Sequence, residues 1–307
     1  MHDTKELRNR IKSVTGMSKI IKAMEMVASS KIRKAQNRIF EARPFLEKLE
    51  DFIAELANSP EVFENYFIKE HDEFKNILIL AITGDRGLCG GYNTNIIKLV
   101  NQKIYEYESN KKKVKLNIIG TKGKTHFKYI GRQLNKVYEN LSDYPCFLDA
   151  REISNDFISE YLNGLVDKVE IIYTEFKNAA EQKPVFKQVL PIPILELKKN
   201  LDNKNGKLPS TQEERNIIDF LFEPSAQEVL SSLIPEYIYT ITYNALLESS
   251  ASETGARMTA MRAASDSSDE MIKDLIRKYH RARQQQITLE ISEIASGAEA
   301  LKLGINT

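Results

Sequence analysis

Two glycine-rich loops are the places where this chain could do chemistry. Gly84-Asp85-Arg86-Gly87-Leu88-Cys89-Gly90-Gly91 follows a strand-like run and precedes a helix-like one, and Gly120-Thr121-Lys122-Gly123-Lys124-Thr125 carries Gly-Lys-Thr in the same setting. A loop between a strand and a helix can aim its backbone N–H groups at a phosphate. Neither spacing completes the cradle. A dinucleotide site needs G-x-G-x-x-G and a P-loop needs G-x-x-x-x-G-K-[ST]; the first loop has neither, and the second is two residues short between its glycines. Other reactive groupings are thin. His2, His71, His126 and His280 are scattered with no HExxH, no GxSxG elbow exists, and Cys89 and Cys146 lack CxxC or metal spacing. The residues therefore suggest no catalytic group, no cofactor and no metal. Asp85 and Arg86 read as ion-pairing residues, with each other or with a neighbouring chain. The few cysteines fit a reducing, cytoplasmic setting.

The loops belong to a middle segment of alternating signals. Residues 76–83 (NILILAIT), 114–120 (VKLNIIG) and 169–176 (VEIIYTEF) read as buried strands, being short, apolar and rich in branched side chains. Helical runs at 93–109, 122–130 and 154–167 lie between them. Strand and helix in alternation predict a Rossmann-like doubly wound α/β unit with a largely parallel sheet. Residues 187–194, interrupted by Pro191 and Pro193, allow a further edge strand. The run from Lys198 to Pro209 reads as a polar linker or loop.

Both flanks carry a different repeat. From Leu7 the row Leu7, Val14, Ile21, Ala28, Ala35, Ala42, Leu49, Leu56 runs beside Ile11, Ser18, Glu25, Ile32, Ile39, Leu46, Ile53. A period of 3.5 held this long predicts a left-handed coiled coil. Pro44 is the misfit and predicts a kink or a lost hydrogen bond. The second seam follows Pro235 and reads Met258, Met261, Ser265, Ser268, Ile272, Leu275, Tyr279, Ala282, Gln286, Leu289. From Ile287 the apolar positions shift to Ile287, Ile291, Ile294, Ala298, Leu301 and Ile305, so the pairing is expected to end near the shift. Small residues in both seams predict close approach of the two helices. At the usual rise, they would be roughly 80 Å and roughly 100 Å long. The fold expected is thus a long antiparallel two-helix coiled coil from the chain ends with an α/β domain between them.

With 307 residues, 42% hydrophobic and 28% charged, the chain has the composition of a soluble protein with room for more than one unit. No run is long enough to span a bilayer, and the first residues mix acids and bases without a targeting core. The net charge of +1 conceals a basic N-terminal stretch and a second basic cluster at Arg277, Lys278, Arg281 and Arg283. Both fall toward one end of an antiparallel pair, which should prefer an acidic partner. Nucleic acid is disfavoured because aromatic stacking residues are scarce in these clusters and no recognition motif accompanies them.

Three separated stretches resemble one family. Ile11-Lys12-Ser13-Val14 through Ile20-Ile21-Lys22-Ala23-Met24-Glu25-Met26-Val27-Ala28, the Asp85-Arg86-Gly87-Leu88-Cys89-Gly90-Gly91 loop, and Glu253-Thr254-Gly255-Ala256-Arg257-Met258-Thr259-Ala260-Met261 with Ala282-Arg283-Gln284-Gln285-Gln286-Ile287-Thr288 and Glu293-Ile294-Ala295-Ser296-Gly297-Ala298 are similar to the gamma subunits of F-type ATP synthases. The resemblance spans the chain in order and is weakest in the middle. It implies a non-catalytic central-stalk rotor, turning inside a ring of three alpha and three beta subunits, with an epsilon subunit and the membrane c-ring as further partners. Torque would pass between the c-ring and the catalytic beta subunits of a proton-translocating enzyme. The resemblance implies beta contacts at Arg86, Arg283 and Gln284, coupling positions at Met24 and Arg257, and c-ring or foot contacts at Phe220 and Glu223. It divides the chain into residues 1–58 (N-terminal coiled-coil helix), 75–197 (α/β domain), 198–224 (polar linker and foot) and 225–307 (C-terminal coiled-coil helix). The cysteine-bearing insertion of chloroplast relatives has no counterpart. The absence of a transit-like segment implies a peripheral protein on the cytoplasmic face of a bacterial plasma membrane. Two rivals stand beside this reading: a nucleotide-binding α/β enzyme with helical extensions, and a static coiled-coil scaffold.

Overall fold

In a computed structural model of the chain, the described residues are 2–56, 65–69, 74–204 and 226–304. They form α1 (His2–Leu56), β1 (Asn76–Ile82), α2 (Tyr92–Ser109), β2 (Lys113–Ile119), α3 (Thr121–Tyr129), β3 (Lys136–Tyr138), α4 (Phe147–Leu162), β4 (Lys168–Phe176), β5 (Gln182–Leu190), α5 (Ile194–Lys204) and α6 (Ala226–Gly304). The chain divides into two compact units, residues 29–257 and residues 1–28 with 258–307.

The larger unit is built on a five-stranded sheet of order β3-β2-β1-β4-β5. Its first four strands are parallel, and β5 runs antiparallel to β4 at the edge. Strand β1 explains why both faces are covered. Ile77, Ile79 and Ala81 enter one core with Tyr92, Ile96 and Val100 of α2 and Phe127 of α3. Leu78, Leu80 and Ile82 enter the other, with Ile153, Phe157 and Tyr161 of α4, Ile53 of α1 and Tyr237, Ile238 and Ile241 of α6. Side chains alternate along a strand, so a strand apolar at every position must be buried on both faces. The second core shows that the two long helices take part in the α/β body through residues 46–54 and 234–246.

Several boundaries differ from the sequence reading. Strand β3 was not expected: three half-buried residues are too few to show a period, and β2 recruits them. Asn135 N–H donates to the Leu116 carbonyl (2.9 Å) and Gly120 N–H to the Tyr138 carbonyl (2.8 Å). Helix α4 begins earlier than its apolar period suggested, because the Asp149 carboxylate accepts the Cys146 N–H (2.8 Å) at its first turn. The stretch from Lys198, expected as linker, is helical to Lys204 as the continuation of α5. Pro44 lies inside α1 and Pro235 inside α6. Each removes a backbone donor, and apolar burial on either side, at Ile39 and Leu46 and at Ile234 and Tyr237, keeps the helix formed.

In the smaller unit α1 and α6 pair antiparallel, as their hydrogen bonds record: Thr4 Oγ1 donates to Gln286 Oε1 (3.0 Å) and Ser18 Oγ to Asp269 Oδ1 (3.1 Å). The expected seams hold. From Leu7 to Ala28 every position of the two N-terminal rows is buried or half-buried, including the polar Ser18 and Glu25, and the rows go on to Ile53 within the larger unit. Ser18 interrupts the apolar seam because its hydroxyl, with the Lys22 ammonium (3.1 Å), is held by Asp269. On α6 the seam is covered from Met258 to Gln286. Leu289, expected within it, is instead exposed.

Candidate functional site

In a doubly wound sheet, ligands bind outside the carboxyl ends of the strands where the strand order reverses. Here that place is the end of β1, between β2 and β4; the first glycine loop leaves from it and the second from the end of the neighbouring β2. The amides that would face a phosphate are already taken. Thr121 N–H donates to Asp85 Oδ1 (3.0 Å), Lys122 N–H to the Gly84 carbonyl (3.1 Å) and Gly123 N–H to Thr83 Oγ1 (3.0 Å). In the first loop, Gly84 N–H donates to Asn93 Oδ1 (2.8 Å) and Asp85 N–H to Ser142 Oγ (3.4 Å). Lys124, the lysine of Gly-Lys-Thr, is paired with Glu139 at 2.6 Å. The two loops also touch closely: Gly120 has φ 97°, and a Cβ there would lie 2.2 Å from the Thr83 carbonyl oxygen.

Helix α6 closes what remains. Leu246, Ser249, Ser250 and Glu253 line, with Ile82, Thr83 and Tyr92, a residual cavity of about 10 Å³. That is room for one water at most. Glu253 lies so near Gly84 that a Cβ at Gly84 would meet its carboxylate at 2.8 Å. Burial pushes the Glu253 carboxyl up, with the Arg257 guanidinium opposing the shift. Arg257 donates to Glu253 and to the Gly87 carbonyl (3.4 Å) and is only 17% exposed, so it is fixed beneath the loop. The Cys89 thiol is pushed up, first by burial and then by Glu253, and is therefore poorly suited to act as a thiolate nucleophile.

Asp85 and Arg86 do not pair with each other. Burial alone would raise the Asp85 carboxyl, but the N–H groups of Thr121, Ser142 and Asn140 outweigh it and hold the group below its ordinary range. Asp85 thereby ties the first loop to the second and to the loop before α4. Arg86 turns outward, 72% exposed, with Asp143 at 3.4 Å. Asp143 is a residue that the sequence reading passed over, since nothing in its local pattern marks it. Glu253 carried a signal that could have been used, as it stands four residues before Arg257 on one helix face.

The remaining sequence-predicted residues fall elsewhere. Met24 on α1 is exposed and belongs to a row Met17, Ile20, Met24, Val27 that turns away from the seam. Arg283 and Gln284 are exposed on α6. Beyond Gln286, where the pairing stops, Ile287, Ile291 and Ile294 are exposed too, the last at 73%. Phe220 and Glu223 lie outside the described residues. Among the described residues no set of three His, Cys, Asp or Glu side chains converges as metal ligands, and no helix is long and apolar enough to cross a membrane.

Comparison with known proteins places this arrangement. A sequence profile described as ATP synthase matches residues 3–301. The ATP synthase gamma chain of Heliobacterium modesticaldum is 40% identical over 302 residues, covering 98% of this chain and 100% of its own length. That of Cytophaga hutchinsonii is 41% identical over 304 residues, covering 98% and 99%. Among solved structures, a chain of the Tetrahymena thermophila mitochondrial ATP synthase central stalk and c-ring matches with a TM-score of 0.59 at 27% identity, covering 80% of this chain and 99% of that one. A chain of the Euglena gracilis mitochondrial ATP synthase shares the fold with a TM-score of 0.66 at 18% identity, covering 100% and 97%. A coiled coil of both chain ends, a closed α/β body and end-to-end similarity to these relatives lead to one conclusion: the chain belongs to the ATP synthase gamma chain family.

Proposed function

We propose that this chain is the central-stalk rotor of a proton-translocating F-type ATP synthase, carrying torque between the membrane c-ring and three catalytic beta subunits while performing no catalysis itself. The observation that supports this most is the closed crevice at the end of β1. The one place where such a sheet would hold a nucleotide is filled by the protein's own α6, and the loop amides are spent on internal partners. This weighs against the reading of the chain as a nucleotide-binding enzyme. Chemistry then belongs to beta, and the chain acts by shape and by contacts that form and break.

The work divides along the sequence. Residues 1–58 and 225–307 supply the axle, 75–197 the body, and 198–224 the foot toward the c-ring, with Phe220 and Glu223 as its contact residues. Arg86, Arg283 and Gln284 meet acidic loops of beta, while Met24 and Arg257 set the coupling. The exposed row of Met17, Ile20, Met24 and Val27 and the uncovered Ile287, Ile291 and Ile294 face the surrounding alpha and beta ring. The epsilon subunit is a further partner on the stalk, and the assembly stands on the cytoplasmic face of a bacterial plasma membrane. An exposed ion pair is worth about 0.2–1 kcal/mol. Cations of this kind can hold an acidic loop briefly and let go as the rotor turns, where a large apolar contact would lock one orientation.

Arg283→Ala tests the reading. In a complex assembled with alpha and beta chains, ATP turnover should fall about two- to fivefold, the range one exposed ion pair allows. The isolated chain should hydrolyse no ATP. Unchanged turnover would remove Arg283 from the contact set, and hydrolysis by the pure chain would overturn the rotor reading altogether. Covalently tying α1 to a beta chain separates rotor from static scaffold, since only a rotor should stop.

A further inference from the structure

The two arginines at the first glycine loop are held in opposite ways. Arg257 is largely buried, bonded to Glu253 and to the Gly87 carbonyl. Arg86 is 72% exposed and has one long contact, Nη2 to Asp143 Oδ2 at 3.4 Å. The acceptor in that contact is far better anchored than the donor. The other oxygen of Asp143 accepts from the Lys31 ammonium of α1 at 3.0 Å, and the Lys31 ammonium also lies over the Tyr144 ring at 5.4 Å. The Asp143 loop is pinned on both sides, by Ser142 N–H donating to Asp85 Oδ2 (3.3 Å) and by the Arg38 guanidinium donating to the Pro145 carbonyl. Asp143 therefore stays in place, charge-paired, whether or not Arg86 is present.

We infer that Asp143 is an internal resting partner for Arg86, from which an acidic loop of a neighbouring subunit takes the guanidinium and to which it returns when that loop moves on. This rests on the proposed contact between Arg86 and beta. A carboxylate met by both guanidinium nitrogens binds more strongly than a single long contact, so an incoming acidic loop wins the exchange. Because Lys31 keeps Asp143 neutralised, the departure of Arg86 leaves no unpaired acid behind. Asp143 thus shortens the hold on beta by offering Arg86 somewhere to return.

The experiment compares Arg86→Ala, Asp143→Asn and the double variant in the assembled complex with alpha and beta chains, reading ATP turnover and the dwell before each rotary step at low and high salt. Asp143→Asn keeps the shape and removes the competing charge. It should lengthen the dwell about two- to threefold at low salt, with the difference shrinking at high salt. In the Arg86→Ala background the same change should do nothing. Lengthening of equal size in that background means Asp143 acts through Lys31 and the loop, which overturns the inference; so does a dwell unchanged by Asp143→Asn when Arg86→Ala alone is slow. If Arg86→Ala alone leaves turnover and dwell untouched, the contact with beta fails and the exchange fails with it. Arg86→Lys, which keeps the charge but loses the fork, should fall between wild type and Arg86→Ala.

Discussion

The loop cluster at the end of β1 and the far end of α6 are both rich in polar and charged residues, yet they use them in opposite ways. In the cluster, Thr121, Lys122 and Gly123 each spend a backbone amide on an internal acceptor, and Glu253 and Arg257 satisfy one another under the loop. Along α6 the internal pairing ends at Gln286, and Arg283, Gln284, Ile291 and Ile294 are left facing outward. Apart from Arg86, the first region is satisfied within the chain, and the second leaves its side chains exposed. Substitutions in the cluster should therefore register in the stability of the chain alone. Those beyond the pairing should register only in the assembly.

The sharpest test is Gly120→Ala. A methyl group would stand 2.2 Å from the Thr83 carbonyl oxygen at a backbone angle of 97°. Neither backbone can yield without breaking the link between the two loops, so the chain should lose about 4 kcal/mol or more in urea unfolding. Near-wild-type stability would show that the cluster is looser than its hydrogen bonds indicate. Asp85→Ala comes next. It strands the N–H groups of Thr121 and Ser142, and a loss of about 1–3 kcal/mol is expected in the same measurement.

A smaller effect, dependent on pH, is expected at Glu248 in the buried part of α6. Burial pushes the Glu248 carboxyl up, while Asn244 and Arg43 oppose it, and its side chain is 6% exposed. A carboxyl raised in the folded state binds protons more readily there than in the unfolded chain. Its contribution is complete below the ordinary carboxylate range and is lost as pH rises through the raised value. Glu248→Gln should therefore gain stability relative to wild type between pH 5 and pH 8, as read by unfolding at about those two values. A gap that does not change with pH would mean that Arg43 balances the charge in full. The smallest effect belongs to Ile294→Ala, at a position 73% exposed. The isolated chain should stay within about 0.5 kcal/mol of wild type. A larger loss would reveal an internal contact beyond Gln286 and erase the contrast between the two regions.

Much of this was readable along the chain. The seam from Leu7 to Ala28 and its partner from Met258 to Gln286, the continuation of the N-terminal rows to Ile53, the shift at Ile287, and the strands near residues 76, 114 and 169 all follow from side-chain period. Period is a local property: residues 3.5 apart share a helix face and residues two apart share a strand face, whatever the rest of the molecule does. The spacing of the glycines likewise argued against a phosphate cradle. Tertiary structure alone decided that the crevice is plugged by Glu253 and Leu246 of α6, that Asp85 answers to Thr121 and Ser142 and not to Arg86, and that Arg86 rests against Asp143. The loop pairings join residues 36 to 57 positions apart, and the Arg257 contact with the Gly87 carbonyl joins residues 170 apart. No local pattern encodes which distant carboxylate a loop will meet, because that follows from where the packed sheet and helices bring the loops together. Strand β3 fell on the same side of the line, since its three residues become a strand only when β2 offers them an edge.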